Sequence, residues 1–106
     1  MAKYLLQVNY TTEGAKGLVK DGGSKRRSAA QIAAESLGGR VEAMYFAFGD
    51  TDAYVVADMP DNASVAAISL ALAASGGATS RTTVLMTPEE MDQATRKMPT
   101  YKPPGQ

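Results

Sequence analysis

The chain has 106 residues, of which 44% are hydrophobic, and it carries equal numbers of acidic and basic residues, 11 of each. This length suits one domain with its own core, and the balanced charge gives no general attraction to nucleic acid or anionic membranes. The chain has no cysteine and no histidine, which excludes disulfides, thiolate or imidazole catalysis, and ordinary zinc or non-haem iron sites.

The N-terminal part predicts a strand followed by a broken helix. Residues Lys3–Tyr10 are rich in β-formers and predict the first strand. Thr11 or Thr12 is suited to cap a helix, and the segment Asp21-Gly22-Gly23-Ser24 interrupts that helix because paired glycines disfavour it.

A second helical piece begins with Ser24 as its expected cap and runs to Leu37, where two glycines end it. Its apolar residues at helical spacing predict the face that packs on the rest of the domain. These residues are Ala29, Ile32, Ala33 and Leu37.

A hairpin is predicted next, with strands Arg40–Phe48 and Ala53–Met59 joined by the polar turn Gly49-Asp50-Thr51-Asp52. Apolar side chains occupy alternate positions on both sides of the first of these strands. One face would carry Val41, Ala43, Tyr45 and Ala47, and the other Met44, Phe46 and Phe48.

The remaining segments predict a helix, a strand and a short helix. Asp61 or Asn62 starts a helix to about Ser75, with Val65, Ile68 and Leu72 on one face. The β-branched segment Thr79–Met86 predicts the fourth strand. Thr87-Pro88-Glu89-Glu90 has the pattern of a capping box and starts a helix to about Lys97. We therefore expect one domain over residues 1–98 and an extended, proline-rich tail over residues 99–106.

This order predicts an α+β, ferredoxin-like βαββαβ fold: a four-stranded antiparallel sheet with its helices on one face. A sheet with one face in water should show polar residues at alternate positions, and the second strand does not. We therefore expect a second copy of the chain to cover the other face, which makes the protein a homo-oligomer.

Several short segments, in this order along the chain, resemble the GYD domain family over about residues 1–95. They are Tyr10-Thr11-Thr12-Glu13-Gly14, Leu37-Gly38-Gly39, Gly49-Asp50-Thr51-Asp52, Asp58-Met59-Pro60-Asp61 and Met86-Thr87-Pro88-Glu89-Glu90-Met91. The family is named after a Gly-x-Tyr-Asp turn, in which Thr51 here takes the tyrosine position. The resemblance implies a ferredoxin-like domain of the dimeric α/β-barrel type and no established activity. Some similar barrel proteins are cofactor-free monooxygenases or isomerases, and others are not catalytic.

Four residues are candidates for chemistry. Asp50 and Asp52 lie on one turn and suit a general base or a cation site, although aspartates also favour turns for structural reasons. Arg81, within the fourth strand, suits an anionic ligand or a cross-strand pair with Asp52, Asp58 or Glu42, and Tyr54 suits a hydrogen-bonding role.

Two further groups of residues, one basic and one aromatic, each have a functional and a structural interpretation. The basic triplet Lys25-Arg26-Arg27 suits a phosphate at a helix start, or simply a solvated surface. The aromatic set would line a ligand pocket or form core and interface; it comprises Tyr4, Tyr10, Tyr45, Phe46, Phe48 and Tyr54. The sequence motif of RNA-binding ferredoxin-like domains is absent, so we expect no nucleic acid partner.

The favoured hypothesis is a small homo-oligomeric protein that binds a small apolar or aromatic molecule between sheet and helices. The alternatives are a cofactor-independent, monooxygenase-like or isomerase-like enzyme, with Asp52 or Asp50 as base and Arg81 or Tyr54 as anion stabiliser, and a subunit of a larger complex. We expect no metal and no cofactor. No apolar segment suits a membrane span or a signal peptide, so the expected location is cytoplasmic.

Overall fold

A computed structural model describes residues 1–106 of the chain. Four strands and four helices follow one another along it. They are β1 (Ala2–Tyr10), α1 (Thr12–Asp21), α2 (Gly23–Ser36), β2 (Arg40–Phe46), β3 (Ala53–Met59), α3 (Asn62–Ser75), β4 (Ala78–Leu85) and α4 (Pro88–Arg96).

The strands form one antiparallel sheet in the order β2-β3-β1-β4. The central strand β1 pairs with β3 on one side and β4 on the other, so that Leu5 lies between Val56 and Thr83. Helices α2 and α3 pack on the sheet, α2 over β2 and α3 over β4. The predicted α+β, ferredoxin-like fold with a four-stranded antiparallel sheet is confirmed.

Local capping fixes where most helices begin. The Thr11 hydroxyl accepts a hydrogen bond from the Gly14 amide at 3.2 Å, and the Asp61 carboxylate accepts one from the Ser64 amide at 2.8 Å. Thr87 forms the expected capping box at the start of α4. The prediction for α2 is wrong by two residues: its N-cap is Gly22, and no side chain caps the helix. The reason is that Gly22 adopts a φ of 83°, which lets the chain turn between α1 and α2 without a polar cap.

The hydrophobic core lies between the helices and one face of the sheet. Strands β1 and β3 supply most of it, and α3 contributes Val65, with Ile68 and Leu72 packed beside it as predicted. The buried members are Tyr4, Leu6, Val8, Ala34, Ala53, Val55, Ala57, Met59, Val65 and Ala78.

The predicted apolar face of α2 is only half right. Ala29 and Ala33 do face the sheet, together with Ala30 and Ala34, but Ile32 is 67% exposed. With about 100° of rotation per residue, Ile32 lies on nearly the opposite side of the helix from Ala30. Leu37, at the C-cap, is also exposed. The alanines, rather than the larger side chains, therefore lie against the sheet.

A β-bulge changes the predicted alternation in β2. The pairing with β3 shifts between Val41 and Ala43, so Glu42 is an extra residue on this strand. Val41 therefore packs against the core on the same side as Met44, and not on the face of Ala43 as predicted. The strand also ends at Phe46, two residues earlier than expected.

The second face of the sheet is not covered by any helix, and we call it the open face. Its middle is apolar, with Leu5, Val56 and Ala43 half-buried among their neighbours and Tyr45 71% exposed. Charged and amide side chains lie at both ends of this face, among them Lys3 and Asp58 at one end and Gln7, Asn9 and Arg81 at the other. The open face is thus more mixed than the sequence pattern suggested.

The C-terminal residues extend away from this body. Every residue from Pro88 to Gln106 is exposed, including Met91, Met98 and Tyr101. The molecule measures 58 × 32 × 23 Å, and its radius of gyration of 16.9 Å exceeds the value of about 13 Å typical of this chain length. We call residues 88–106 the C-terminal arm. None of the helices combines the length and the apolar composition needed to span a bilayer.

Candidate functional site

A cavity of about 350 Å³ lies between the sheet and the helices. Of the 22 residues that line it, 17 are hydrophobic. Most come from the core face of β1, β2 and β3 and from the inner sides of α1, α2 and α3, and Gly77 and Ala78 at the start of β4 complete the wall. Cavities of this size and character are typical of small-molecule sites.

The cavity exists because small side chains line its helical walls. Helix α2 presents Ala29, Ala30 and Ala33 to it, and α1 presents Gly14 and Gly17. A Cβ atom on Gly17 would meet no atom within 4 Å, so this part of the wall is open space. Side chains this short cannot reach across to the opposite wall.

One edge of the cavity is held together by a close backbone contact. The Thr11 amide donates to the Gly77 carbonyl at 3.0 Å, and the Thr11 hydroxyl donates to the Gly76 carbonyl at 2.7 Å. Gly14 lies so close to Gly77 that a Cβ atom would overlap the Gly77 carbonyl oxygen. The start of α1 is therefore fixed against the connection between α3 and β4.

Polar side chains are few in the cavity, and Tyr10, Arg26 and Ser75 supply them. The Ser75 hydroxyl is already engaged, because it donates to the Leu72 carbonyl at 2.6 Å and accepts from the Gly77 amide at 3.1 Å. Arg26 takes part in none of the ion pairs of the protein. Tyr10 and Arg26 thus remain as the groups able to bind a polar part of a ligand.

The environment of the Tyr10 hydroxyl keeps it protonated. Burial raises the pKa of Tyr10 above its ordinary value, and the nearby Arg26 guanidinium opposes part of this rise. A protonated phenol can donate a hydrogen bond into the cavity.

Arg26 was not singled out from its basic neighbours by the sequence. Lys25 and Arg27 are exposed, as expected of a solvated surface, whereas Arg26 is half-buried and lines the cavity. The spacing in the sequence could have identified Arg26 as a cavity residue, because it lies three and four residues before Ala29 and Ala30 and therefore on the same face of α2.

The two aspartates of the β2–β3 turn have different surroundings. Asp50 is exposed. The Asp52 carboxylate accepts a hydrogen bond from the Tyr10 amide at 2.9 Å, and the Asp52 amide donates to the Val8 carbonyl at 3.0 Å and to the Asn9 side chain at 3.1 Å. In this structure Asp52 fastens the turn to the end of β1.

Arg81 and Tyr54 lie on the open face. Arg81 donates from Nη2 to the hydroxyl of Thr51 at 3.2 Å and forms no ion pair with Asp52, Asp58 or Glu42. Thr51, at the tyrosine position of the family turn, is buried with 3% exposure. Tyr54 is 37% exposed and pairs in register with Gln7. The four candidates Asp50, Asp52, Tyr54 and Arg81 all lie outside the cavity lining.

The six aromatic residues do not converge on one pocket. Tyr4 is buried in the core and its hydroxyl donates to the Asn62 side chain at 2.6 Å. Tyr10 alone of the six lines the cavity. Tyr45, Phe46 and Phe48 are exposed.

A charge cluster occupies one end of the open face. Lys3 Nζ lies 2.9 Å from Asp58 Oδ1 and 2.7 Å from Glu42 Oε2, and Arg40 Nη2 lies 2.7 Å from Asp58 Oδ2. The hydrogen bond from Lys3 lowers the pKa of Asp58, whose side chain is only 8% exposed. These acids are neutralised by their basic partners, and no three carboxylates converge in a way that would hold a metal ion.

Comparison with known proteins gives one result. The family model described as the GYD domain matches residues 4–95. Neither the comparison with curated proteins nor that with solved structures gave a significant match.

Proposed function

The chain belongs to the GYD domain family, and from this premise we propose that it is a cytoplasmic homo-oligomer that binds a small apolar or aromatic molecule. The binding site is the cavity between sheet and helices. The observation that carries the proposal is a volume of about 350 Å³ with a wall that is hydrophobic at 17 of its 22 residues.

This volume is larger than the gaps that ordinary packing leaves. Protein interiors are close-packed, with few voids larger than a water molecule. An engineered apolar cavity of about 150 Å³ is sufficient to bind benzene. The cavity here is more than twice as large, and an empty apolar space costs stability in proportion to its volume. A bound apolar molecule would offset that cost.

The open face supports the oligomeric part of the proposal. Leu5 and Val56 pair at its centre, and no element of the same chain covers them. A second sheet packed on this centre would shelter it and give the dimeric α/β-barrel arrangement, with the charged groups of both ends at the rim. The exposed apolar residues of the C-terminal arm, Met91 and Met98, suit a contact with the same neighbour.

The alternative is a cofactor-independent enzyme with Asp52 or Asp50 as base and Arg81 or Tyr54 as anion stabiliser. A general base must lie within hydrogen-bond reach of a bound substrate. The cavity wall includes none of these four side chains, and the Asp52 carboxylate is engaged with the Tyr10 amide. The geometry therefore favours binding over catalysis at these residues.

Native mass spectrometry of the purified protein tests both parts of the proposal. We expect a multiple of the chain mass, and we expect retention of one small apolar molecule per chain, either from expression or after incubation with 2-naphthamide. A bare single chain at micromolar concentration, unchanged by incubation, would count against both parts.

A substitution at the centre of the open face separates the two parts. Val56→Glu places a charge where the partner sheet would pack, so we expect it to dissociate the oligomer in light scattering while the cavity stays intact. The matched control is Ala67→Glu, on an exposed position of α3 outside the cavity wall. An unchanged oligomer in Val56→Glu would refute sheet-to-sheet assembly.

A further inference from the structure

We propose that the cavity selects molecules that carry a carboxylate on an apolar body, and that Arg26 and Tyr10 hold the carboxylate. This inference rests on the proposed function and specifies the class of ligand. It follows from what lines the cavity and from what each polar group already binds.

Arg26 is the single charged side chain in the cavity wall. It is half-buried beside alanines, and it is not among the basic residues that form ion pairs. A guanidinium next to an apolar wall is costly unless an acceptor satisfies it, and its planar fork of donors matches a carboxylate in geometry and charge. Within the protein its one partner is the neutral Tyr10 hydroxyl, and no carboxylate pairs with it.

Tyr10 provides a second donor at the same place. It lies at the end of β1, where it pairs with Ala78, and its hydroxyl interacts with Arg26, whose guanidinium donates, so the hydroxyl proton is left for a ligand. The hydroxyl is close enough to Arg26 for the guanidinium to affect its titration. Two donors side by side at an otherwise apolar wall fit the two oxygens of one carboxylate.

The rest of the cavity sets the size of the apolar body. Its volume of about 350 Å³ holds more than a single aromatic ring, since about 150 Å³ accommodates benzene. The rest of the lining includes Leu18, Met44 and Ile68, and it offers no further polar side chain that is free to bind a ligand. A bicyclic aromatic carboxylate, with its acid group at Arg26, fills such a space.

Isothermal titration calorimetry with a matched pair of compounds tests this inference. The compounds are 2-naphthoate and 2-naphthamide, which share the ring system and nearly the same shape but differ in charge. The variants are Arg26→Met, which removes the charge and keeps an apolar stem, Arg26→Lys, which keeps the charge without the planar fork, and Tyr10→Phe. The control is Arg27→Met, at an exposed neighbour outside the cavity wall.

We expect the unmodified protein to bind 2-naphthoate at least tenfold more tightly than 2-naphthamide. Arg26→Met should abolish this preference and leave the affinity for 2-naphthamide within twofold. Arg26→Lys should retain part of the preference, Tyr10→Phe should reduce it severalfold, and Arg27→Met should leave it unchanged.

The outcomes distinguish this inference from the proposed function. Equal affinity for the two compounds, unaffected by Arg26→Met, would overturn the carboxylate assignment and leave the apolar site standing. Binding of neither compound would overturn both. If circular dichroism shows that Arg26→Met is unfolded, Arg26→Lys and Tyr10→Phe decide the question, and a full preference for 2-naphthoate in both variants refutes the assignment.

Discussion

Filling the cavity from its helical wall should stabilise the protein. Ala33 lies on the inner side of α2 and lines the cavity, so Ala33→Leu adds three carbon atoms at a place where space is open. In a packed core the same change would cost about 1–3 kcal/mol, because neighbouring side chains would have to move. The sign of the effect therefore reports whether the cavity is present.

The magnitude follows from the added apolar surface. Burial contributes about 0.8 kcal/mol per methylene, or roughly 2.4 kcal/mol for the added carbons. Loss of rotamer freedom for a buried leucine opposes this by about 0.5–1 kcal/mol. We expect a net increase of about 1.5 kcal/mol in the free energy of unfolding, which raises Tm by roughly 6–12 °C in a domain of this size.

Urea and thermal unfolding followed by circular dichroism measure this change. The control is Ala67→Leu on the exposed side of α3, where we expect a change of less than about 0.5 kcal/mol. Ala33→Leu should also weaken the binding of 2-naphthamide, because it occupies part of the site. A destabilisation of about 1 kcal/mol or more by Ala33→Leu, with an unchanged control, would show that the wall is already packed and would refute the reasoning.

Two further predictions concern the start of α1 beside the cavity and the charge cluster of the open face. Gly14→Ala and Gly17→Ala make the same change three residues apart in α1 and should act in opposite directions. Gly14→Ala forces a Cβ atom into the Gly77 carbonyl and should destabilise the protein by about 1–3 kcal/mol. Gly17→Ala places its Cβ atom in open space and should stabilise the helix by about 0.5–1 kcal/mol. Equal effects of the two substitutions in chemical denaturation would contradict the close contact between Gly14 and Gly77. Asp58→Asn should cost about 1–3 kcal/mol at pH 7, because it removes a carboxylate that binds Lys3 and is nearly buried. Since the folded state lowers the pKa of Asp58, its contribution is complete above the ordinary aspartate pKa and is lost as the pH falls through the lowered value. Unfolding curves of the two proteins should therefore converge in acid, and a difference that does not depend on pH would exclude this ion pair as the cause.

Features of the fold that depend on local sequence were predictable. Thr11, Asp61 and Thr87 cap their helices as expected, because a cap is a contact between residues three positions apart. The order of strands and helices then left few topologies open, and the ferredoxin-like arrangement is the one observed.

Features that depend on tertiary packing were not predictable in this way. The bulge at Glu42 moves Val41 to the core face, and an extra residue in a strand leaves no mark in the apolar pattern. Ile32 looked like a core residue on periodicity alone, yet the smaller Ala30 and Ala34 lie against the sheet. Helix periodicity gives the faces of a helix but does not decide which of two partly apolar faces turns inward.

The cavity is a second example of a feature that sequence reasoning did not locate in detail. A site between sheet and helices was expected, but its polar groups were sought among Asp50, Asp52, Tyr54 and Arg81. A void arises from the distances between elements and from side chains that are too short to fill it, and neither property belongs to a motif. Arg26 could have been found by extending the alanine face of α2 back by one turn.

The location of a bound apolar molecule is the most direct test of this account. Two-dimensional ¹H–¹⁵N NMR of the labelled protein, titrated with 2-naphthamide, reports which amides change their environment. We expect the largest shifts at cavity-lining residues of α2 and α3, such as Ala30, Ala33 and Ile68, and small shifts at Leu5 and Val56 on the open face. Shifts concentrated on the open face, or absent at saturating ligand, would contradict the claim that the cavity is the binding site.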